Sequence, residues 1–197
     1  MTDSEVLLER LNDFPKTYFF RKDIEKFHPG KKGNLSVLLN RMARKKKITR
    51  LMRSLYVLNV PATDWESLAC ELVKPSYISL EYALWRYGLI NEIPARITLV
   101  TTGKSRLYTF PNTVLEYTHI NSARFFGYTV ERNALLAARE KAFLDELYLV
   151  GLKKRSLNLL KIEPASLDRK LLEAWGKRYP SCTRKLLGRI LNRGRAG

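Results

Sequence analysis

The stretch from Asn34 to Arg53 constrains this chain more than any other, because its apolar and basic residues separate at helical spacing. One face of the predicted helix consists of Leu35, Leu38, Leu39 and Met42. The opposite face consists of Ser36, Asn40, Arg41, Arg44 and Lys45. Arginine and asparagine are the side chains that pair with guanine and adenine edges. The pattern therefore indicates either a helix that enters a DNA groove or an ordinary amphipathic helix whose charges keep it soluble.

The segments before this helix favour the DNA-binding interpretation. They predict a helix over Asp3–Leu11, a strand over Tyr18–Phe20 and a short helix over Asp23–His28. Pro29 and Gly30 stop the short helix, and a glycine-containing turn leads into the next helix, which Asn34 or Ser36 is expected to cap. Helix, short helix, turn and helix is the order of a helix-turn-helix.

After Lys47 the pattern changes from helical to strand-like. Two short runs rich in β-branched and aromatic residues extend to Val60 and flank a predicted basic tip at Arg50 and Arg53. A hairpin in this place would be a wing whose arginines follow the phosphate backbone or enter the minor groove. The alternative is an edge hairpin whose charges discourage aggregation. The order of elements predicts a winged helix-turn-helix domain over residues 1–60.

The predicted DNA contacts form two sets. The residues suited to base edges are Ser36, Asn40, Arg41 and Arg44. The residues suited to phosphate are Lys31, Lys32, Lys45, Lys46, Lys47, Arg50 and Arg53. Phosphate contacts give affinity without sequence preference.

The net charge of +17 is concentrated at the two ends of the chain. Residues 1–60 carry +8, residues 61–150 carry −1 and residues 151–197 carry +10. Segregated positive charge is typical of surfaces that bind a polyanion.

The neutral middle predicts a mixed domain. Residues 61–75 are expected to be a linker with a short helix over Asp64–Leu72. The further predicted elements are a helix from Ser79 to Tyr87 ended by Gly88, strands at Ile97–Thr102, Thr113–Ile120 and Phe125–Val130, and a long helix over Ala134–Val150.

Four segments of this region resemble the AbiEi family of transcriptional regulators. They are P-S-Y-I-S-L-E-Y-A-L-W-R-Y-G-L-I from Pro75, I-T-L-V-T-T from Ile97, F-F-G-Y from Phe125 and A-R-E-K-A-F-L-D-E-L-Y-L from Ala138. The family comprises antitoxins of bacterial type IV toxin–antitoxin, or abortive infection, systems. The likeness extends from the N-terminal part through Leu149. Each motif has low specificity by itself, so the likeness depends on the order of the motifs.

The resemblance implies a winged-helix domain that binds the promoter of its own operon and a C-terminal domain, here residues 76–197, that opposes a toxin. The toxin is a nucleotidyltransferase-like protein with which a stable complex is not required. The recognition-helix position of the family is occupied here by Ser36, Asn40, Arg41, Arg44 and Lys45. The family has no catalytic residues to carry over.

The C-terminal region predicts two helices between Ser166 and Arg193, broken at Tyr179-Pro180-Ser181. Their apolar stripes leave a second basic surface, which consists of Arg169, Lys170, Lys177, Arg178, Arg184, Lys185, Arg189 and Arg193. This surface would bind nucleic acid, bind an acidic protein or remain solvated.

Motifs for catalysis are weak in this sequence. His28 and His119 have no acid or cysteine at ligand spacing, and Lys141 with Asp145 has the spacing of an ordinary helix-surface pair. Gly103-Lys104-Ser105 lacks the earlier glycine of a phosphate-binding loop, and the lone Cys70 and Cys182 suggest buried or partly buried thiols. We therefore expect no enzyme activity, no cofactor and no metal.

Together these features predict an α+β protein, with a winged helix-turn-helix domain, a mixed α/β antitoxin domain and basic C-terminal helices. The expected function is repression of its own toxin–antitoxin operon, with double-stranded promoter DNA, in inverted repeats if two molecules bind, as partner. The alternatives are a stand-alone regulator with a partner-sensing C-terminal domain and a nucleic-acid-processing enzyme. No apolar run is long enough for a membrane span and no signal peptide is recognisable, so the cytoplasm is the expected location.

Overall fold

Helices and two sheets make up the fold, which confirms the α+β class that the sequence predicts. The structure, a computed structural model, describes residues 2–28, 32–156 and 166–193. The chain divides into unit 1, which comprises Met1–Trp65 with Phe110–Asn112, and unit 2, which comprises Glu66–Thr109 with Thr113–Gly197. The division at residue 65 lies inside the segment 61–75 in which the sequence places a linker.

Unit 1 combines helices with a small antiparallel sheet. Its elements are helix α1 (Asp3–Asn12), strand β1 (Tyr18–Phe20), helices α2 (Arg21–Phe27) and α3 (Lys32–Arg44), and strands β2 (Thr49–Met52) and β3 (Leu55–Val57). Strand β3 pairs antiparallel with β1 on one side and with β2 on the other. The buried core consists of Leu7, Leu11, Phe19, Ile24, Leu35, Leu38, Leu39, Met42, Ile48 and Tyr56. The predicted inner face of α3 is thus confirmed.

The helix starts in unit 1 differ from the predicted ones. Helix α2 begins at Arg21 because the Asp23 carboxylate accepts a hydrogen bond from the Phe20 N–H at 3.1 Å and caps the helix from inside. Helix α3 begins at Lys32, so Asn34 and Ser36 lie within its first turns and are not its caps. Apolar periodicity starts only at Leu35, which is why the sequence placed the helix start too late.

Of the two arginines predicted at the tip of the hairpin in unit 1, one lies there and the other does not. Arg53 lies in the turn before Ser54, whose φ is 69°. Arg50 is within β2, opposite Tyr56, and is not at the tip. The strand extends past Arg50 because Met52 pairs with Leu55 of β3 after a register shift.

Unit 2 is built on a six-stranded mixed sheet in the order β6-β7-β5-β4-β9-β8. Its elements are helix α4 (Trp65–Leu72, whose first residue belongs to unit 1), strand β4 (Ser76–Ile78), helix α5 (Leu80–Arg86), strands β5 (Ile97–Thr101), β6 (Arg106–Phe110, whose last residue belongs to unit 1), β7 (Thr113–His119), β8 (Tyr128–Glu131) and β9 (Ala134–Ala137), and helices α6 (Arg139–Gly151), α7 (Arg169–Gly176) and α8 (Ser181–Arg193). Strand β5 runs antiparallel to β4 and parallel to β7, and β9 runs parallel to β4. Helix α6 packs against α5, α7 and α8.

The predicted helix over Ala134–Val150 is wrong in its first part. Ala134–Ala137 is strand β9, which pairs antiparallel with β8 and parallel with β4, and the helix begins only at Arg139. Alanine and leucine favour helices locally, but the pairing partners on both sides decide the conformation. Strands β4 and β6 were not predicted, and β8 begins three residues later than the predicted strand at Phe125.

Helix α5 begins and ends close to the predicted residues. Gly88 has a φ of 68°, its N–H donates to Trp85 at 2.8 Å, and the N–H of Leu89 donates to Leu84 at 2.8 Å. This is a Schellman ending, which requires a left-handed residue. Ser79 stands at the N-cap, but its hydroxyl makes no capping bond and donates instead to Asp145 at 2.9 Å.

The prediction that Lys141 and Asp145 form a surface pair is wrong, because neither side chain has any exposed area. Helix α6 is buried continuously from Lys141 to Leu149. Spacing of four residues identified the pair correctly, but it cannot tell an outer face from an inner one when neighbouring elements cover the helix on several sides.

Candidate nucleic-acid interface

The outer face of α3 is polar except for one residue. Asn40, Arg41, Arg44 and Lys45 are exposed, as predicted for a solvent-facing side, while the inner leucines and Met42 pack in the core. Val37 lies on the same outer face and is 68% exposed. Val37 was not predicted as a contact, although its position between Ser36 and Asn40 in the helical pattern marks it as an outer residue.

Ser36 differs from the other predicted base-edge residues because it already has a protein partner. Its side chain is half-buried, and its hydroxyl accepts a hydrogen bond from Arg21 Nη1 at 2.8 Å. Arg21 Nε also pairs with Glu25 at 3.0 Å. The contact joins the start of α2 to α3, and Arg21 thus becomes a neighbour of the interface that the sequence did not indicate.

Lys45, Lys46 and Lys47 follow α3 as an exposed basic turn. The N–H of Lys46 donates to Ala43 and the N–H of Lys47 donates to Met42, each at 3.0 Å, while Lys46 has a φ of 55°. The turn therefore ends α3 in a Schellman pattern with lysine in the left-handed position. Lys31 and the side chain of Lys32 lie outside the described residues.

The exposed cations of α3 and the hairpin have no acidic partners in the described part of the chain. Arg41, Arg44, Arg50 and Arg53 make no ion pair there, whereas the acid Glu25 is engaged by Arg21. Unit 2 differs, since its Arg86, Arg96 and Arg155 each pair with carboxylates. A set of unneutralised cations on one helix and the adjoining hairpin can act as a contact surface for phosphate.

The predicted second basic surface on α7 and α8 is partly engaged in structural contacts. Its members Lys170, Lys177, Arg184, Lys185 and Arg189 are exposed. Arg169 Nε pairs with Glu173 at 2.8 Å, and the Arg178 guanidinium lies 3.7 Å from the centre of the Phe126 ring. The side chain of Arg193 lies outside the described residues.

The interior of unit 2 holds a charged cluster around Asp145. Its carboxylate accepts hydrogen bonds from Tyr77, Ser79 and Tyr179 at 2.9 Å each, and it pairs with Lys141. Lys141 also lies over the rings of Tyr77, Tyr179 and Phe126, 4.9–5.5 Å from their centres.

Burial controls the protonation of this cluster. It lowers the pKa of Lys141, although the nearby Asp145 carboxylate opposes that effect, and it raises the pKa of Tyr179 well above its ordinary value. The groups are closed off from solvent and satisfied by one another, so the geometry is that of a structural core.

A cleft of about 1020 Å³ opens in unit 2 beside a network centred on Arg155. Arg155 pairs with Glu81 and with Glu116, the latter at 2.7 Å, and all three residues line the cleft. Glu146 lies behind them, with its Oε2 3.6 Å from Arg155 Nη1. Both Glu146 carboxylate oxygens are buried and accept no hydrogen bond within the described residues, and burial raises the pKa of this carboxyl to about 8.

The described residues form neither a metal-binding cluster nor a membrane-spanning helix. In the described ranges, no group of three or more histidine, cysteine or acidic side chains is arranged to hold a metal ion. None of the helices described there is long and apolar enough to span a membrane. Cys70 is buried and Cys182 is half-buried, and neither forms a disulfide in the described ranges, which confirms the prediction of buried or partly buried thiols.

Comparison with known proteins gives information on the fold alone. No protein-family profile matches this sequence, and no curated protein matches it. The crystal structure of the RV2827C protein from Mycobacterium tuberculosis is similar to this chain, with a TM-score of 0.66 and 12% sequence identity. The match covers 97% of this chain and 76% of that one. At this identity the likeness indicates a shared fold.

Proposed function

We propose that this protein binds double-stranded DNA through unit 1, which acts as a winged helix-turn-helix domain. Helix α3 is the recognition helix, and the hairpin of β2 and β3 is the wing. The observation that carries the proposal is the outer face of α3, where Asn40, Arg41 and Arg44 are exposed and neither arginine makes an ion pair with any described residue.

The division of labour on this face follows from side-chain chemistry. Arg41 and Arg44 contact guanine edges and Asn40 contacts an adenine edge in the major groove. Lys45, Lys46 and Lys47 contact phosphate at the end of the helix, and Arg50 and Arg53 contact phosphate along the wing. Ser36, held by Arg21, contributes less to base recognition than the other three residues.

The regulated gene is the protein's own operon, and the second activity is that of an antitoxin. This part of the proposal is supported by the resemblance to the AbiEi family in the segments between Pro75 and Leu149. The partner is a nucleotidyltransferase-like toxin, which unit 2 opposes without a stable complex. Expression of the toxin encoded next to this gene should arrest growth, and co-expression of this protein should restore it.

A stand-alone regulator is the second candidate, and the cleft in unit 2 favours it. Its volume of about 1020 Å³ is at the upper end of the range for small-molecule sites. In that case no toxin gene accompanies this one, and an effector bound in unit 2 alters promoter binding. The neighbouring reading frames distinguish the two candidates.

Footprinting on the chain's own promoter, at several salt concentrations, tests DNA binding. We expect a protected site whose apparent affinity falls as salt rises, because phosphate contacts release counterions. A promoter with no protected segment even at low salt would contradict the proposal. Inverted half-sites in the footprint would show that two molecules bind together.

A further inference from the structure

Val37 is an exposed apolar side chain in the middle of a polar surface. No other large apolar residue among the described residues of unit 1 has a mostly exposed side chain, whereas Val37 is 68% exposed. It packs against no core, and valine is a weaker helix former than alanine because its branched Cβ restricts χ1 in a helix. Neither helix formation nor core packing accounts for valine at this position.

Helical geometry puts Val37 at the centre of the outer face of α3. At about 100° per residue, Leu35 and Leu39 lie about 160° away from it, on the buried side. Arg44 lies about 20° from Val37, and Asn40 and Arg41 lie on either side of it. Any surface that contacts Asn40 and Arg41 together therefore also meets Val37.

The distances along the helix fit a short run of base pairs. Val37 and Arg44 are seven residues apart, which is about 10 Å along the axis and about three base pairs of DNA.

We propose that Val37 selects a thymine in the bound site by packing its methyl groups on the thymine C5 methyl. The inference rests on the proposed entry of α3 into the major groove. The thymine methyl is the apolar feature that the four base pairs present there, and apolar side chains recognise it by contact. The arginines next to Val37 thus recognise guanine and the asparagine recognises adenine. With Val37, the site that the helix recognises also includes at least one thymine.

Deoxyuridine provides the sharpest probe because it differs from thymidine only by the missing methyl group. Each thymine of the footprinted promoter duplex is replaced singly by deoxyuridine, and binding is measured for wild type, Val37→Ala and Val130→Ala. Val130 is 73% exposed on β8 of unit 2 and serves as the matched control. Thermal unfolding of each variant checks that the fold is intact. Because both valines are exposed, neither substitution should change the unfolding temperature.

We expect one replacement to weaken wild-type binding about fourfold, the equivalent of one buried methyl group. Val37→Ala should bind the thymine duplex about fourfold more weakly and should not distinguish it from the deoxyuridine duplex. Val130→Ala should behave as wild type. The inference is overturned if no single replacement affects wild type, or if Val37→Ala remains equally sensitive to the same replacement.

Failure of the DNA-binding proposal gives a different result. In that case wild type shows no salt-dependent binding to any promoter duplex, and the thymine contact is overturned with it. Salt-dependent binding by wild type together with insensitivity to every deoxyuridine replacement overturns the role of Val37 alone.

Discussion

Lys46 occupies a left-handed backbone position after a helix, which glycine usually fills. Its φ of 55° and the two hydrogen bonds of the Schellman ending hold it in the left-handed region, where a side chain is strained. Stability alone would favour glycine at this site. A lysine there fits a role for its charge, and phosphate contact beside α3 is the role we propose.

Replacing Lys46 should separate stability from DNA affinity. Lys46→Gly removes both the strain and the charge, so we expect the free energy of unfolding to rise by about 1 kcal/mol and promoter affinity to fall. Lys46→Ala keeps the strain and should lose the same affinity without the gain in stability. Promoter titrations and urea unfolding measure both quantities. Unchanged affinity in both variants would remove Lys46 from the phosphate contacts.

Glu146 should make unit 2 less stable as the pH rises. Its pKa is raised by burial from 4.5 to about 8, so the folded state holds a proton that the unfolded state releases between these values. The stabilisation that protonated Glu146 contributes to the fold is complete below pH 4.5 and is lost as the pH increases to about 8. It amounts to a few kcal/mol at most.

Glu146→Gln tests this pH dependence, because glutamine resembles the protonated carboxyl and does not titrate. We expect the variant to be more stable than wild type near pH 8 and the difference to vanish near pH 4.5. Urea midpoints across this range measure it, with Glu173→Gln on the exposed face of α7 as control. Parallel profiles for wild type and Glu146→Gln would contradict the assignment.

At the scale of elements, periodicity and chain breakers predicted the helices of unit 1 and the two C-terminal helices. Leucine spacing located the inner face of α3, and Tyr179-Pro180-Ser181 separates α7 from α8 as predicted. Strand β9 at Ala134–Ala137 was missed because its conformation depends on pairing with β8 and with β4, and β4 is distant in sequence and was not predicted. Local propensity carries no information on such partners.

For the candidate site, the exposed face of α3 could be predicted from the sequence, but the partners of its side chains could not. Exposure of Asn40, Arg41 and Arg44 follows from helical spacing alone. The bond between Arg21 and Ser36 joins residues fifteen positions apart, and it arises from the packing of α2 against α3. Sequence patterns identify faces of helices, whereas side-chain partners between elements require the folded arrangement.

The buried cluster joins helix α6 to β4 and to the segment between α7 and α8. Asp145 accepts bonds from Lys141, Tyr77, Ser79 and Tyr179. Asp145→Ala leaves Lys141 buried without its counter-charge, so we expect unit 2 to lose about 3 to 5 kcal/mol of stability. Hydrogen exchange of α6 amides and urea unfolding measure this loss. A change as small as that of the surface control Glu173→Ala would contradict the cluster's structural role.

At the scale of the whole molecule, positive charge is concentrated in two separate stretches of the sequence. Residues 1–60 carry +8 and residues 151–197 carry +10, and the exposed cations of α7 and α8 belong to the second region. Deleting the second region would also remove Leu172, Tyr179 and Leu187 from the core of unit 2. Neutralising substitutions are therefore the better test of its role.

A multiple substitution shows whether this surface contacts DNA. It replaces with glutamine the exposed residues Lys170, Lys177, Arg184, Lys185 and Arg189. If it does, the slope of log affinity against log salt should decrease by about 0.9 for each lost phosphate contact. An unchanged slope would assign the surface to an acidic protein partner or to solvent. Unfolding midpoints equal to wild type would show that the substitutions leave the fold intact.

The central claim is that the outer face of α3 enters duplex DNA, and titration of the promoter duplex with Arg41→Ala and Arg44→Ala tests it most directly. Both side chains are exposed and unpaired in the described structure, so neither substitution should affect folding. The account predicts a loss of roughly 1 to 3 kcal/mol of binding free energy for each variant at fixed salt, and no loss for the exposed Arg106→Ala in unit 2. Wild-type affinity in both α3 variants would contradict it.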